Sequence, residues 1–552
     1  MRMASSNPLP IPPGPQPRGA ARDTGTGARD AGRRDLLAGA MRLAAASLAA
    51  SLARAAGAAT QPARFDADPF SLGVASGAPE PDGFVIWTRL VPDPARADGG
   101  LPPVPYELRW EVAADEGFSR IVAGGRAVAH PELAHSLRVE VRGLAPGRWY
   151  HYRFFAGDGA HQASSPVGRA RTAPAPDVLS PRLRLAVASC QQYEQGYFGA
   201  YRHMADEDLD LVLFVGDYIY ESSWGRDPVR AHRGAEPKTL GDYRIRHAQY
   251  RGDADLQRMH AAAPWIVTWD DHEVDNDYAG DRSEDLDPRF LVRRAAAYRA
   301  YFEHMPLRAA ALPDGAAMRI HGRHRFGRLA ELFVLDSRQY RTPQACPKPR
   351  RGGGNIVAVE RCPELFDPRR SMLGSAQERW LDRCFSESAA RWNLIGQQTL
   401  FSQLTARSES GTLVRTDGWS AYPAARRRLI DSMRAHRLAN PLVLGGDVHA
   451  NWVCDVKADF DDARSETVAT EFCATSITSQ GPAQVHHDRA RSEHAHVHLA
   501  ESEHRGYVVV ELKPDLCTTT LRTVDDVRRP DPAIATRARF VVDSGRPGAV
   551  LD

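Results

Sequence analysis

From residue 70 to about residue 172 apolar and polar positions alternate in short runs separated by turn residues. Residues 84–88, 106–112 and 136–141 each predict a strand with one buried face, and Gly143-Leu144-Ala145-Pro146-Gly147 predicts a tight connection into a further strand at 149–154. A Pro/Ala-rich stretch follows at 172–181. Beyond it, wholly apolar runs at 183–189, 209–215, 265–269, 329–335, 392–395 and 441–444 read as buried strands. Helical periodicity at 197–205, 240–259, 289–304 and 377–388 separates them, which predicts a layered domain of strands and helices. Residues 339–368 read as a long loop holding Gly352-Gly353-Gly354, and 507–512 with 518–523 as a closing strand pair.

The chain has 552 residues, which favours two or more domains, and its 43% hydrophobic and 25% charged content is ordinary for globular proteins. Strands at the spacing seen in 65–172 suggest a β-sandwich, and the run Leu144-Ala145-Pro146-Gly147 through Tyr150 and Tyr152 is similar to a fibronectin type III domain. The formal charge of +2 is uneven: residues 1–58 carry eight Arg and three Asp, leaving −3 for the remainder. That balance speaks against a nucleic-acid-binding module. Residues 1–32, rich in Pro, Gly, Ala and Ser, are expected to stay unfolded. Gly32-Arg33-Arg34-Asp35-Leu36-Leu37, a weakly apolar stretch to residue 53 and the small-residue sites Ala53-Arg54-Ala55 and Ala56-Gly57-Ala58 resemble a twin-arginine export signal. Export by the twin-arginine machinery to the periplasm or beyond is therefore expected, with no membrane span after the signal is removed.

Chemistry collects where the buried strands end. They run into Ala188-Ser189-Cys190-Gln191, Gly216-Asp217-Tyr218-Ile219-Tyr220-Glu221, Asp270-Asp271-His272-Glu273 and Gly445-Gly446-Asp447-Val448-His449-Ala450-Asn451. Five acids flank His272 within the segment 269–278, a costly arrangement at the end of a buried strand unless a cation sits there. In layered domains ligands gather at the carboxyl ends of strands. A thiolate, a phenolate and an imidazole (Cys190, Tyr220, His449) suit a small transition ion, ferric iron in particular. Asp271 and Asp447, with Asn276 or Asn451 nearby, suit a hard ion such as calcium, magnesium or manganese. Asp217 has two oxygens and can bridge. Two such cations can activate a water and clamp an in-line displacement at phosphorus, with His272 donating a hydrogen bond to the leaving or a non-bridging oxygen.

Ser189-Cys190-Gln191-Gln192-Tyr193-Glu194, Gly216-Asp217-Tyr218-Ile219-Tyr220-Glu221, Trp269-Asp270-Asp271-His272-Glu273-Val274-Asp275-Asn276 and Gly445-Gly446-Asp447-Val448-His449 together resemble the PhoD-type alkaline phosphatases, distant relatives of the purple acid phosphatases. The resemblance covers nearly everything from residue 65 onward. It implies a layered metallophosphatase domain at 182–552, a β-sandwich core flanked by helices, behind the fibronectin-like sandwich. It also implies ferric iron on Cys190, Asp217, Tyr220 and His449, calcium near Asp217, Asp271 and Asp447, and His272 beside the phosphate. Magnesium, manganese or zinc are alternatives at the second position. Gln397, in the turn Gly396-Gln397-Gln398, matches a family motif facing the site and is a weaker candidate beside Asn276 and Asn451. The implied activity is hydrolysis of phosphate mono- and diesters. The rivals are a purple-acid-type iron/zinc enzyme and a non-catalytic surface binding protein with a structural metal.

With Cys190 assigned to metal, six cysteines remain; Cys346 and Cys362, bracketing the glycine run, are the expected disulfide, and Cys454 with Cys473 is a second candidate pair. The histidines at 486, 487, 494, 496, 498 and 504 lack a strand-end context and read as a mobile, partly exposed loop near the substrate mouth.

Overall fold

The computed structural model describes residues 64–158, 161–409 and 411–552. The leader and export signal expected at 1–58 lie outside the described residues.

Two large sheets face one another. The ten-stranded sheet is built around three parallel strands, Leu183–Ala188, Leu211–Phe214 and Trp265–Val267. Arg505–Leu512 pairs antiparallel with Leu183–Ala188 and continues into Leu516–Val524, so the expected closing pair forms at the C-terminal side of this sheet. The seven-stranded sheet holds Ala330–Val334, Trp392–Gly396 and Pro441–Gly445 as parallel neighbours.

Alternation along each strand decides which layer a side chain joins, because successive residues point to opposite faces. Leu185, Val187, Leu213 and Val215 meet Leu332, Leu394, Leu442 and Leu444 between the sheets. Their neighbours Ala186, Ala188, Val212 and Phe214 face outward onto aromatic residues including Tyr201, Tyr250 and Tyr301, carried by the helices Gly199–Ala205, Leu240–Arg251 and Phe290–His304. On the far side, Phe333, Ile395 and Val443 pack against the helices Gly374–Glu387 and Pro423–Ala435 through Leu381, Phe385, Ile430 and Met433. The result is β-rich, two sheets with helices outside both, as the six runs of buried apolar residues require.

The N-terminal segment shares this frame. Val74–Glu80 lies parallel to Trp265–Val267, and Gly83–Arg89 and Ser136–Val141 extend the same sheet to its edge. A separate five-stranded sheet built on Tyr106–Ala113 and Trp149–Ala156 covers it around Phe84, Ile86, Leu108 and Phe154. The joint is also polar: the Trp87 indole donates to the Glu303 carbonyl at 3.0 Å and Arg138 to the Phe302 carbonyl at 2.6 Å.

Two expectations are corrected. The histidine-rich stretch is no loose loop: it forms the helix Gln484–Glu493 and the strand Val497–Glu501, with His487 and His496 buried and His498 2.9 Å from Asp455. Cys454 and Cys473 are buried free thiols. Their strands pair Trp452 with Cys473 and Cys454 with Glu471, so the two thiols are diagonal neighbours. Diagonal Cα atoms are roughly 7–8 Å apart, beyond disulfide reach. Cys346 and Cys362 do form a bridge, Cα atoms 6.2 Å apart.

The layer between the sheets holds the strand ends in place. Leu213→Ala, at a fully buried position, is expected to cost about 2–5 kcal/mol of unfolding free energy in denaturant titration; a loss below about 1 kcal/mol would mean that this layer is not what sets the stability.

Candidate metal centre

Four of the parallel strands, Leu183–Ala188, Leu211–Phe214, Trp265–Val267 and Pro441–Gly445, deliver site residues just past their carboxyl ends, and the backbone turns sharply after the first, second and fourth. Cys190, Asp217, Asp447 and His449 all adopt the left-handed conformation, with φ of 58°, 60°, 66° and 53°. Non-glycine residues rarely accept this, and such strain persists where surrounding structure imposes it, most often at functional sites. Two glycines are sterically required beside them. A Cβ at Gly216 would sit 2.7 Å from the Asp270 backbone nitrogen, and one at Gly446 2.3 Å from the Ser189 hydroxyl.

The side chains converge in two groups. Ligand atoms of Cys190, Asp217 and His449 lie within 4.8 Å of one another, and so do those of Asp217, Asp271 and His272. Asp217 belongs to both. The Tyr220 hydroxyl joins the first group, donating to Asp217 Oδ2 at 2.8 Å and lying 3.2 Å from His449 Nε2. His449 Nδ1 faces the Gln480 carbonyl at 2.8 Å, which leaves Nε2 pointing into the group as a ligand nitrogen. The indole of Trp224 stacks on the His449 ring, 5.6 Å between centroids and 6° between planes.

The donor set fits a cation. Asp217 Oδ1 and Asp271 Oδ1 are buried without a hydrogen-bond partner, a costly condition for a carboxylate. Burial, with the neighbouring acids, pushes the Asp217 carboxyl well above its usual range, and burial with Asp217 and Asp447 does the same to the Cys190 thiol. Burial likewise raises the Tyr220 phenol, again helped by Asp217 and Cys190. Burial and Arg505 hold His449 down at about 3, so it is neutral and free to ligate. Positive charge among these groups reverses the penalties on the acids. Asp271 differs: burial raises its carboxyl, but Arg338 and His272 more than offset this and keep it ionised.

His272 sits between the acids. Its Nδ1 is 2.7 Å from Glu221 Oε2, and its ring lies 4.2 Å from that of Tyr220. Burial depresses its pKa, yet Glu221, Asp217 and Asp271 together raise it well above the usual histidine range. Among the described residues this centre forms the floor of a cleft of about 710 Å³, with Asp217, Asp271, His272, Asp447 and His449 in its lining.

The structure thus assembles Cys190, Asp217, Tyr220, Asp271, His272, Asp447 and His449 at one place. Asn276 lines the cleft but binds Glu284 at 2.9 Å through its amide. Gln397 turns its amide to the Thr399 backbone and the Trp419 indole, the latter at 2.9 Å. Asn451 is fully buried between Glu501, at 3.0 Å, and the Thr475 backbone nitrogen, at 3.1 Å. Both amides are fully engaged in holding loops. Sequence reasoning missed Glu221, the partner of His272, although it closes a strand-end motif. It also missed Arg338, a buried cation bonded to Asp270, 3.0 Å from Asp417 and 3.6 Å from Asp271.

The family profile for PhoD-like phosphatases matches residues 185–521, and that for the N-terminal domain of PhoD-like phosphatases matches residues 55–174. The chain belongs to the PhoD-like phosphatase family. It is 43% identical over 531 residues to alkaline phosphatase D of Bacillus subtilis (strain 168), covering 94% of this chain and 88% of that protein. A solved structure described as PhoD superposes with a TM-score of 0.83 at 43% identity, covering 89% of this chain and 93% of that one. The family assignment therefore spans both the N-terminal segment and the domain that carries the metal-ligand groups.

The geometry separates ligands from supports. Asp217→Asn is expected to deplete metal at both positions, to well under half of wild-type content by elemental mass spectrometry. Asn451→Ala should keep its metal and lose about 1–3 kcal/mol of stability, because buried partners go unpaired. Equal metal content in the two variants would show that Asp217 holds no metal.

Proposed function

We propose that this PhoD-like phosphatase is an exported, metal-dependent alkaline phosphatase that hydrolyses phosphate mono- and diesters. The observation that carries the reading is the pair of ligand groups sharing Asp217, the second of which includes His272, at the floor of an open cleft. The alkaline phosphatase D relative supports it. Cys190, Asp217, Tyr220 and His449 would hold ferric iron, and Asp217, Asp271 and Asp447 a hard ion, calcium first. When bound, such a pair supplies Lewis acidity to phosphoryl oxygens and a nucleophile at neutral pH.

The chain's own residues supply the rest. Protonated His272, oriented through Nδ1 by Glu221, presents Nε2 to the ester. As the bond from phosphorus to the leaving oxygen breaks and a water oxygen bonds to phosphorus, the imidazolium donates to the departing oxygen. Glu221 keeps that donor charged as pH rises. The Trp224 indole shields the neighbouring His449 ring from solvent on one face.

Export rests on the Arg33-Arg34 signal, and the Cys346–Cys362 bridge suits an oxidising compartment, the periplasm or outside the cell. No helix among the described residues is long and apolar enough to cross a membrane. Residues 65–172 are proposed as a fibronectin-like structural module and 182–552 as the catalytic domain.

Metal content and the visible spectrum of the exported protein test the centre. Iron with calcium, a charge-transfer colour and activity lost to chelator are expected, and a colourless zinc or magnesium protein would overturn the roles given to Cys190 and Tyr220. His272→Ala should lower kcat roughly 10²-fold or more with metals retained. In the same assay Glu221→Gln removes a negative neighbour, lowers the His272 pKa and should move the alkaline limb of the pH–rate profile down by roughly one unit. An unmoved limb in an active Glu221→Gln protein would take that proton away from His272.

A further inference from the structure

Two arginines, Arg351 and Arg415, stand among the acids that line the cleft, and the hydrolytic chemistry does not use them. The bridge between Cys346 and Cys362 closes a segment containing Lys348, Arg350, Arg351 and Arg361 against a single acid, Glu360. Within it, Ile356–Ala358 pairs antiparallel with Gly411–Arg415, Ile356 directly opposite Arg415, and Ala406–Ser408 completes a small three-stranded sheet. The segment is fastened to the centre. Gly352 donates to the Glu284 carbonyl at 2.7 Å and Gly354 to Asp277 Oδ2 at 2.8 Å. The Asp277 backbone nitrogen in turn donates to Asp271 Oδ2 at 2.6 Å. A side chain at Gly352 would stand 2.6 Å from the Ser283 carbonyl, so the close seating depends on glycine.

Arg351 and Arg415 both line the cleft. Arg351 is paired with Glu284 at 3.0 Å. Arg415 is different. Its side chain is 72% exposed, its ion pair with Asp277 is a long 3.9 Å, and among the described residues its guanidinium makes no hydrogen bond. The residues at the floor are far less exposed, 12% for the His272 side chain and 5% for Asp271. A planar cation held only by a long ion pair to Asp277 therefore stands at the rim of a site built for phosphate, with exposed Lys348 and Arg350 on the neighbouring stapled segment.

We infer that Arg415, presented by this disulfide-stapled sheet, binds a second anionic group of the substrate, a phosphate or a carboxylate displaced from the scissile phosphorus, and so selects esters that carry one. The inference rests on the phosphatase reading. Guanidinium suits either anion because its paired N–H groups match two oxygens at once.

The test uses the metal-loaded protein on a matched series: phenyl phosphate, 4-carboxyphenyl phosphate and 1,4-phenylene bisphosphate. Wild type is expected to favour one or both anion-bearing esters by about 10-fold in kcat/KM, and their ranking tells carboxylate from phosphate. Arg415→Ala should bring that ratio to near one. Serine at both Cys346 and Cys362 should lower it too, because the sheet loses its staple. No preference in wild type, or a ratio that Arg415→Ala leaves unchanged even while overall activity falls, would overturn the inference. Failure of wild type to hydrolyse any of the three would instead refute the monoester part of the phosphatase reading.

Discussion

Negative charge held out of water at one end of two facing sheets is the constraint on which the rest of this structure depends. Asp217, Asp270 and Asp271 are almost wholly buried, and Asp447 and the Cys190 thiol join them. Arg338 is a buried guanidinium bonded into this acid group, leaning on Asp270 and Asp417. Asp217 Oδ1 and Asp271 Oδ1 remain without a donor, an arrangement that isolated carboxylates would escape by protonation. The fold holds them there by geometry: four residues forced into left-handed backbone, glycines where no side chain fits, and a close-packed apolar layer that prevents the strand ends from moving apart. Stability is invested in the sheets so that the loops can remain strained.

Much of this was legible in the chain. Buried strands announced themselves as short apolar runs, and each of the important ones ended in Gly-Asp, Asp-His or Ser-Cys, so the side chains that converge could be named one by one. The supports could not. Arg338 lies 68 residues from Asp270 and carries no local signal. Gln397 and Asn451 sit at the correct strand ends, yet their amides turn to Trp419 and Glu501, and residue type alone does not say which way an amide faces. The helix Gln484–Glu493 escaped because its few apolar residues make no continuous face, so periodicity had nothing to detect. The cysteine pair at 454 and 473 failed on register, which only the ladder sets.

The N-terminal strands show the same limit at a larger scale. Alternation at 84–88 and 136–141 predicted strands with one buried face; strands formed there, but Gly83–Arg89 is buried on both faces. What alternation cannot reveal is the neighbour. Val74–Glu80 continues the sheet whose strands lead into Cys190, Asp217 and Asp271, and the Trp87 and Arg138 side chains bind the last turn of a helix from the other half of the chain. A boundary near residue 172 is visible in composition and in the family profiles, while the hydrogen-bonded ladder runs straight across it.

That ladder sets an order of events during synthesis. Leu183–Ala188, which leads into Cys190, has Arg505–Leu512 as one neighbour, and Trp265–Val267, which leads toward Asp271, has Val74–Glu80 as one of its own. Contacts so distant in sequence are slow to form and cannot form before both partners exist. The floor of the centre is therefore unfinished until the ribosome has passed residue 512. The ligand cluster thus rests on a strand that is made after His449, the last of its ligand residues.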